Sequence, residues 1–138
     1  MYLKKGKVEF GYKDTYNLDT VLSEVILSGL VKFHNVLKEK DKAGKAYGVP
    51  YFEEIGEDVE KASEKWFDIL SKMIYAFDEK NEPDITKYNI CFNLDIENKR
   101  LKYNQENYDK YLQDLQLYQE KKQEGLNLFA KHYESLWW

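Results

Sequence analysis

Apolar residues recur at helical spacing in three long stretches of the chain. The first stretch contains Leu18, Leu22, Val25, Ile26, Gly29, Leu30, Phe33 and Leu37. Residues three and four apart share one face of a helix, so this spacing predicts a helix over 18–39 whose apolar face is buried. A helical glycine is costly relative to alanine, and the place of Gly29 on that face predicts a close approach by a neighbouring backbone.

The second stretch predicts a helix over 58–79. Acidic residues crowd its first turn, where negative charge suits the helix dipole, and Pro83 stops it. Trp66 is predicted to be a core residue rather than a site residue. The predicted inner face consists of Val59, Ala62, Trp66, Ile69, Leu70, Met73 and Phe77.

The third stretch predicts a helix over 104–137, and its apolar stripe has two registers. One follows Tyr108, Leu112, Leu115, Leu126, Phe129, Tyr133 and Leu136, and is interrupted by Gln119 and Lys122. The other follows Tyr111, Leu115, Tyr118, Lys122, Gly125 and Phe129. This helix would span roughly 50 Å against roughly 33 Å for the others, so it either bends near Gly125 or projects its first half beyond them.

Residues outside these stretches complete the predicted fold. Apolar and polar residues alternate over 88–97, and Leu101 and Tyr103 provide a return strand, which predicts a β-hairpin over 88–103. Residues 1–16 form an extended lead-in arm, and Asp14 and Asp19 are predicted to act as caps or turn formers at the entry to the first helix. The prediction is a single, mainly α domain of three long helices packed around an aromatic core, with one small hairpin before the last helix.

Composition narrows the function. The 138 residues are 43% hydrophobic and 33% charged, an ordinary globular balance. Arg100 is the only arginine among 21 basic residues, and the net charge is −4, so sequence-specific DNA binding is not expected. No apolar stretch is judged long enough to cross a bilayer, and no membrane partner is predicted. Cys91 is the single cysteine, which fits a reducing cytoplasm.

No residue cluster has a catalytic or metal-binding signature, so no catalytic residue, metal or cofactor is predicted. His34 and His132 lack a carboxylate at ligand spacing, and Cys91 lacks an adjacent base. The acidic run from Glu53 to Asp58 has two interpretations. The first is helix-start electrostatics, and the second is a magnesium site of a nucleotide hydrolase.

Lys122 lies on the apolar seam of the third helix in both registers. Two interpretations are open. In the first, the aliphatic part of the side chain covers the core while the ammonium group reaches water. In the second, the ammonium group forms an anion site with Gln119, Tyr118 and Tyr111 as neighbours. The second interpretation would suit a small signalling nucleotide.

The first half of the third helix is the predicted oligomer interface. If it projects beyond the other helices, its apolar residues have no cover within the chain and most simply meet a second copy. The predicted homodimer contact consists of Tyr108, Tyr111, Leu112 and Leu115, with Tyr111 and Leu115 near its centre.

Three segments resemble a family of small helical proteins encoded by tailed bacteriophages. The first runs from Gly11 through Tyr12, Asp14, Tyr16 and Leu18 to Asp19, where the family reads Gly-Tyr/Trp-Ser-x-x-Asp-x-Trp-x-Leu-Asp. The others are Trp66–Phe77 and the end from Glu124 to Trp137, and Tyr47–Pro50 stands where the family has Gly-Tyr-Pro. Tyr16 replaces the usual Trp, and 84–105 has no counterpart.

The resemblance implies a phage origin and a helical fold rather than a chemistry. We therefore expect a non-enzymatic accessory protein that binds a host factor or a host signalling molecule in the cytoplasm of the infected bacterium, with a counter-defence role. A structural oligomer without a ligand and a magnesium-dependent nucleotide hydrolase are the alternatives.

Overall fold

The computed structural model describes residues 2–4, 6–41 and 48–137, and it is mainly helical, as the sequence predicts. The α-helices are α1 (Leu18–Asp41), α2 (Val59–Phe77) and α3 (Gln105–His132). Two antiparallel pairs of short strands accompany them: β1 (Tyr2–Lys4) with β2 (Lys7–Glu9), and β3 (Asn93–Asp95) with β4 (Arg100–Lys102). Four 3₁₀ turns span Tyr12–Thr15, Glu79–Asn81, Ile85–Tyr88 and Tyr133–Ser135.

Helix α2 supplies most of the core. The Asp58 carboxylate accepts a hydrogen bond from the Lys61 backbone N–H at 3.1 Å, which caps the first turn. Trp66 is 0% exposed, so its predicted place in the core is confirmed. The core is more aliphatic than predicted, because aromatic residues are the minority of its members: Leu30, Leu37, Phe52, Ala62, Trp66, Ile69, Leu70, Met73, Ala76 and Phe77.

Helix α3 packs against α2 most closely at Gly125. A Cβ atom at Gly125 would lie 2.3 Å from the Lys72 carbonyl oxygen and 2.6 Å from the Ala76 Cβ, so only glycine allows this approach. The buried residues of α3 are Tyr118 and Gly125, which belong to the second predicted register. The helix continues through Gly125 without interruption and ends at His132, where a 3₁₀ turn replaces the predicted last turn.

Helix α1 contacts the core only from Ile26 onward. Leu30 and Leu37 are buried, and Ile26, Leu27 and Phe33 pack partly against the core. Leu18, Leu22 and Val25 are exposed, so the prediction that the whole stripe is buried is wrong. The predicted close approach at Gly29 is also wrong, because nothing lies within 4 Å of a Cβ built there. The close approach between helices occurs at Gly125 instead.

The lead-in is a hairpin of β1 and β2 followed by a 3₁₀ turn, rather than an extended arm. The Asp14 carboxylate accepts the Gly11 backbone N–H at 2.6 Å, which agrees with its predicted role as a turn former. Asp19 lies in the exposed first turn of α1. Tyr47, part of the segment that resembles the phage family, lies outside the described residues.

The segment between α2 and α3 forms a shorter hairpin than predicted. Asn89 and Cys91 have φ values of 54° and 55°, in the left-handed region that an extended strand does not use. The strand therefore begins only at Asn93, and Leu94 pairs with Leu101. The Asn104 backbone N–H donates to the Ile90 carbonyl at 2.8 Å, which ties this segment to the start of α3.

Candidate functional site

The predicted anion site on α3 does not assemble. Tyr118 is buried, Gln119 is exposed, and Tyr111 packs against Tyr88 about three turns away from Lys122. Lys122 is half-buried, with its Nζ 5.7 Å from the centre of the Tyr118 ring. This geometry favours the interpretation in which the lysine stem covers the core and the charge reaches water.

The predicted interface on α3 is largely covered by the chain itself. The segment that contains the β3–β4 hairpin folds over the first half of α3, where edge-to-face or tilted ring pairs join Tyr88, Phe92, Tyr103, Tyr108 and Tyr111. The prediction of an uncovered stripe is therefore wrong for Tyr108 and Tyr111, which are half-buried.

The remaining predicted interface residues differ in exposure. Leu115 is half-buried and Leu112 is 41% exposed. The Tyr88 hydroxyl donates to the Asp114 carboxylate at 2.7 Å, which fixes the covering segment on α3. That hydrogen bond, with a second from Lys110, lowers the pKa of Asp114. The periodicity of α3 could not show this cover, because the covering residues lie elsewhere in the sequence.

The acidic run before α2 serves structural purposes. Asp58 caps α2, and Glu54 forms an ion pair with Lys65. Within the part of the chain that the structure describes, no group of three or more His, Cys, Asp or Glu side chains could hold a metal ion. The observed contacts therefore favour helix-start electrostatics over a magnesium site.

A cleft of about 510 Å³ lies between α2, the end of α3 and the segment before α2. Lys72 crosses from α2 to α3, where its Nζ lies 2.9 Å from Glu124 and 3.4 Å from Asp68. Elsewhere in the cleft, Lys65 lies over the Phe52 ring with its Nζ 4.6 Å from the ring centre. Lys131 and His132 line the same cleft, and neither appeared in the predicted site.

His132 is the aromatic centre of this cleft. Its ring meets those of Trp66 and Phe52 edge-on, with centroids 5.5 Å and 6.2 Å away. Burial lowers the pKa of His132, and the charges of Lys131 and Lys65 lower it further. The imidazole is therefore neutral at pH 7, and the cleft carries its positive charge on lysines.

The apolar face of α1 is the second candidate surface. Leu18, Leu22 and Val25 are each 41–43% exposed along one side of the helix, and the exposed Gly29 continues their spacing. Gly29 also opens onto a groove of about 290 Å³ between α1 and the end of α3. The groove is lined by Ile26, Gly29, Leu30, Phe33, Phe129, Tyr133 and Leu136. We call Leu18, Leu22, Val25 and Gly29, together with this groove, the α1 face.

The sequence predicted the residues of the α1 face but assigned them to the core. Two stripes of α1 are apolar, and helical spacing marks both without showing which one meets α2. Among the described residues, Leu18–Lys40 is also long and apolar enough to cross a membrane by length and composition. The prediction that no stretch reaches that length is therefore wrong, although the core helix of a soluble protein or a signal sequence near the N-terminus passes the same test.

A third exposed apolar patch lies on the β3–β4 hairpin. Leu94 and Leu101 are opposite each other in the register, and both are exposed. Ile96 is 81% exposed, so the apolar side of the hairpin does not pack on the helices, and packing on a partner, the other possibility that the sequence leaves open, stays a prediction. Phe92 and Tyr103 do not extend the patch, because they contact the Tyr108 ring on α3.

No family model matches the chain, and no curated protein or solved structure is significantly similar to it.

Proposed function

We propose that this chain is a non-enzymatic accessory protein that acts by binding another protein through the α1 face. The observation that carries the proposal is the exposure of Leu18, Leu22 and Val25 on a helix whose other side is in the core. Contiguous apolar surface of this kind on a folded chain marks interaction sites more often than chance exposure does.

The three long helices then serve as a scaffold that presents the α1 face. Leu30 and Leu37 hold the second half of α1 in the core, while the first half carries the exposed side chains. A partner can therefore dock on α1 without disturbing the core.

We further propose a phage origin and a role in the cytoplasm of the infected bacterium, where the partner is a host factor. This part rests only on the resemblance of the Gly11–Asp19, Trp66–Phe77 and Glu124–Trp137 segments to phage proteins. The hydrolase alternative has no comparable support, since Glu54 and Asp58 are engaged in an ion pair and a helix cap.

A paired-variant experiment tests binding through the α1 face. Leu22→Asp combined with Val25→Asp places two charges on the face, and Leu117→Asp places one on an exposed position of α3 as a matched control. Each purified protein is immobilised and exposed to bacterial lysate, and each captured protein is then purified and its affinity measured directly. We expect the parent and Leu117→Asp to bind the partner and the double variant to lose it. Equal binding by all three would refute the proposal.

The cleft supports a second candidate function, binding of a small anionic molecule such as a signalling nucleotide. The supporting observation is that Lys65, Lys131 and His132 line one cleft of about 510 Å³. Carboxylates line it too, and three of them pair with lysines of the same cleft: Glu54 with Lys65, and Asp68 and Glu124 with Lys72. Lys65 forms an ion pair with Glu54, whereas no ion pair of Lys131 is found among the described residues. An anion would therefore contact Lys131 first and attract Lys65 away from Glu54.

Thermal unfolding in the presence of nucleotides and cyclic nucleotides tests this second function. A ligand at a hundred times its Kd stabilises the folded chain by roughly 2.7 kcal/mol, which is readily measured. The stabilisation should vanish in a Lys65→Gln, Lys131→Gln double variant and persist in Lys121→Gln, which removes an exposed charge from another part of α3. No stabilisation by any nucleotide would exclude that ligand class.

A further inference from the structure

We infer that the α1 face binds a second copy of the same chain, with the two α1 helices antiparallel about a two-fold axis near Val25. The inference rests on the proposed function, because it concerns the same surface: the second copy covers the α1 face until a host factor takes its place. It also moves the predicted homodimer contact from α3, where the chain covers itself, to α1.

The spacing of the exposed residues suits a helix as the partner. Leu18, Leu22, Val25 and Gly29 follow one another at intervals of four, three and four residues. This is the interval at which two helices packed side by side meet repeatedly along a seam. The next position is Lys32, so the seam covers about 20 Å of helix.

Gly29 provides space for the second helix. Nothing lies within 4 Å of a Cβ built at Gly29, and the groove beside it is walled by Phe129, Tyr133 and Leu136. In an antiparallel pair centred near Val25, Leu22 of one copy lies opposite Gly29 of the other. The leucine side chain then enters the groove, and the same contact is made twice about the axis.

The charges of α1 favour the antiparallel arrangement. The exposed charged residues in the first half of the helix are the acidic Asp19 and Glu24, and those in the second half are Lys32, Lys38 and Glu39. Of the basic residues, Lys32 lies on the seam itself. Antiparallel pairing brings Asp19 of each copy near Lys32 of the other. Parallel pairing would align like charges instead, which is unfavourable at the edges of a helix pair.

The surface area that the α1 face can bury also indicates how large its partner must be. A stable dimer buries about 800 Å² on each copy, more than three aliphatic side chains provide. The α1 face extends over the groove to Tyr133, which is 64% exposed, and an aromatic side chain of this kind buries 150–250 Å² when fully covered. A second copy that contacts both α1 and this wall is therefore favoured over a short peptide on α1 alone.

A lipid bilayer is a less suitable occupant. Leu30 and Leu37 belong to the core, so α1 cannot enter a membrane along its whole length without opening the fold. Asp19, Glu24 and Lys32 also lie within the apolar segment, and charged side chains are costly in the hydrocarbon region.

Sizing by light scattering tests the dimer. At high micromolar concentration the parent and Leu117→Asp should have twice the mass of the monomer. The Leu22→Asp, Val25→Asp double variant should be monomeric and still unfold in one cooperative transition, at a melting temperature lowered by the loss of the dimer contact. A monomeric parent overturns the inference, and so does a dimer that survives in the double variant.

Disulfide cross-linking tests the orientation, in chains where Cys91 is replaced by serine. Val25→Cys should cross-link to itself, and a mixture of Leu18→Cys and Lys32→Cys chains should form a mixed dimer. Leu18→Cys alone should not cross-link, because its two copies would be about 20 Å apart whereas a disulfide needs Cα atoms within about 7 Å. Efficient cross-linking of Leu18→Cys to itself overturns the antiparallel arrangement.

The two proposals fail in different ways. If the parent is monomeric but its α1 double variant loses a bound host protein, the second copy is refuted and binding through the α1 face stands. If the double variant changes neither mass nor capture, the proposed function is refuted as well. Flotation with anionic phospholipid vesicles adds a third arm, since vesicle binding by the parent that the double variant loses would replace the second copy with a membrane.

Discussion

Substitution of Gly125 by alanine should destabilise the fold through the contact between α2 and α3. The new Cβ would lie 2.3 Å from the Lys72 carbonyl oxygen, more than 1 Å inside ordinary van der Waals contact, which begins at 3.4 Å. It would also lie 2.6 Å from the Ala76 Cβ. The Lys72 oxygen is part of the α2 backbone and cannot turn aside, so the two helices must separate.

The magnitude follows from two opposing effects. Overpacking of a core costs typically 1–3 kcal/mol, and at a backbone contact this short we expect the upper end. Alanine gains roughly 1 kcal/mol over glycine in a helix interior. We therefore expect a net loss of about 2 kcal/mol, which lowers the melting temperature by about 8 °C in a domain of this size.

Gly29→Ala is the matched control, because Gly29 is also within a helix but faces open space. It should stabilise the fold by about 0.5–1 kcal/mol. Urea unfolding followed by tryptophan fluorescence measures both, in the Leu22→Asp, Val25→Asp background so that association at the α1 face does not contribute. Equal effects of the two alanine substitutions would refute the claim that α2 and α3 meet at Gly125.

Three further predictions concern the core, a helix cap and pH. Trp66→Ala should lower the free energy of unfolding in urea by about 3–5 kcal/mol. Trp137 is 71% exposed, so Trp137→Ala should change it by less than about 0.5 kcal/mol, and similar losses from both would place Trp66 outside the core. Asp58→Ala should cost about 1 kcal/mol and Asp58→Asn much less, since asparagine also caps helices, and equal losses from both would argue against the cap. Burial is the main cause that lowers the pKa of His34 and of His132, so the unfolded chain binds more protons than the folded chain between pH 7 and 5. The free energy of unfolding should therefore fall as the pH drops through that window, and a flat profile would contradict this reasoning.

The sequence predicted α2 nearly completely. Its apolar residues occupy one stripe, its first turn is acidic, and Asp58 is a good capping residue. Local preference, cap and periodicity agree, and the helix spans Val59–Phe77 with Trp66 fully buried. The helix ends two residues earlier than predicted, because Asp78 adopts an extended conformation and accepts a hydrogen bond from the Lys80 backbone in the next turn. Val59, which was predicted on the inner face, is 57% exposed at the start of the helix.

The hairpin shows where local pattern is insufficient. Alternation over 88–97 predicted a strand, but positive φ values at Asn89 and Cys91 delay the strand to Asn93. The residues before it fold over α3 instead and cover Tyr108 and Tyr111. The alternation therefore identified a hairpin without showing which of its side chains would be buried.

The candidate site could be predicted least. Lys131, His132 and Lys65 come together only because the end of α3 packs beside α2, and no spacing within the sequence links them. The predicted site around Lys122 relied on a single polar residue in an apolar stripe, and a half-buried lysine stem over Tyr118 accounts for that residue without a ligand.

The sequence by itself determined that three segments form amphipathic helices, because helical periodicity depends only on neighbours along the chain. The tertiary structure decided which apolar faces are covered, because coverage depends on where helices cross and on which distant segments fold over them. Gly29 and Gly125 illustrate the difference. Both are glycines within a predicted helix, yet α2 packs directly against Gly125 and leaves Gly29 open beside an exposed row of aliphatic side chains.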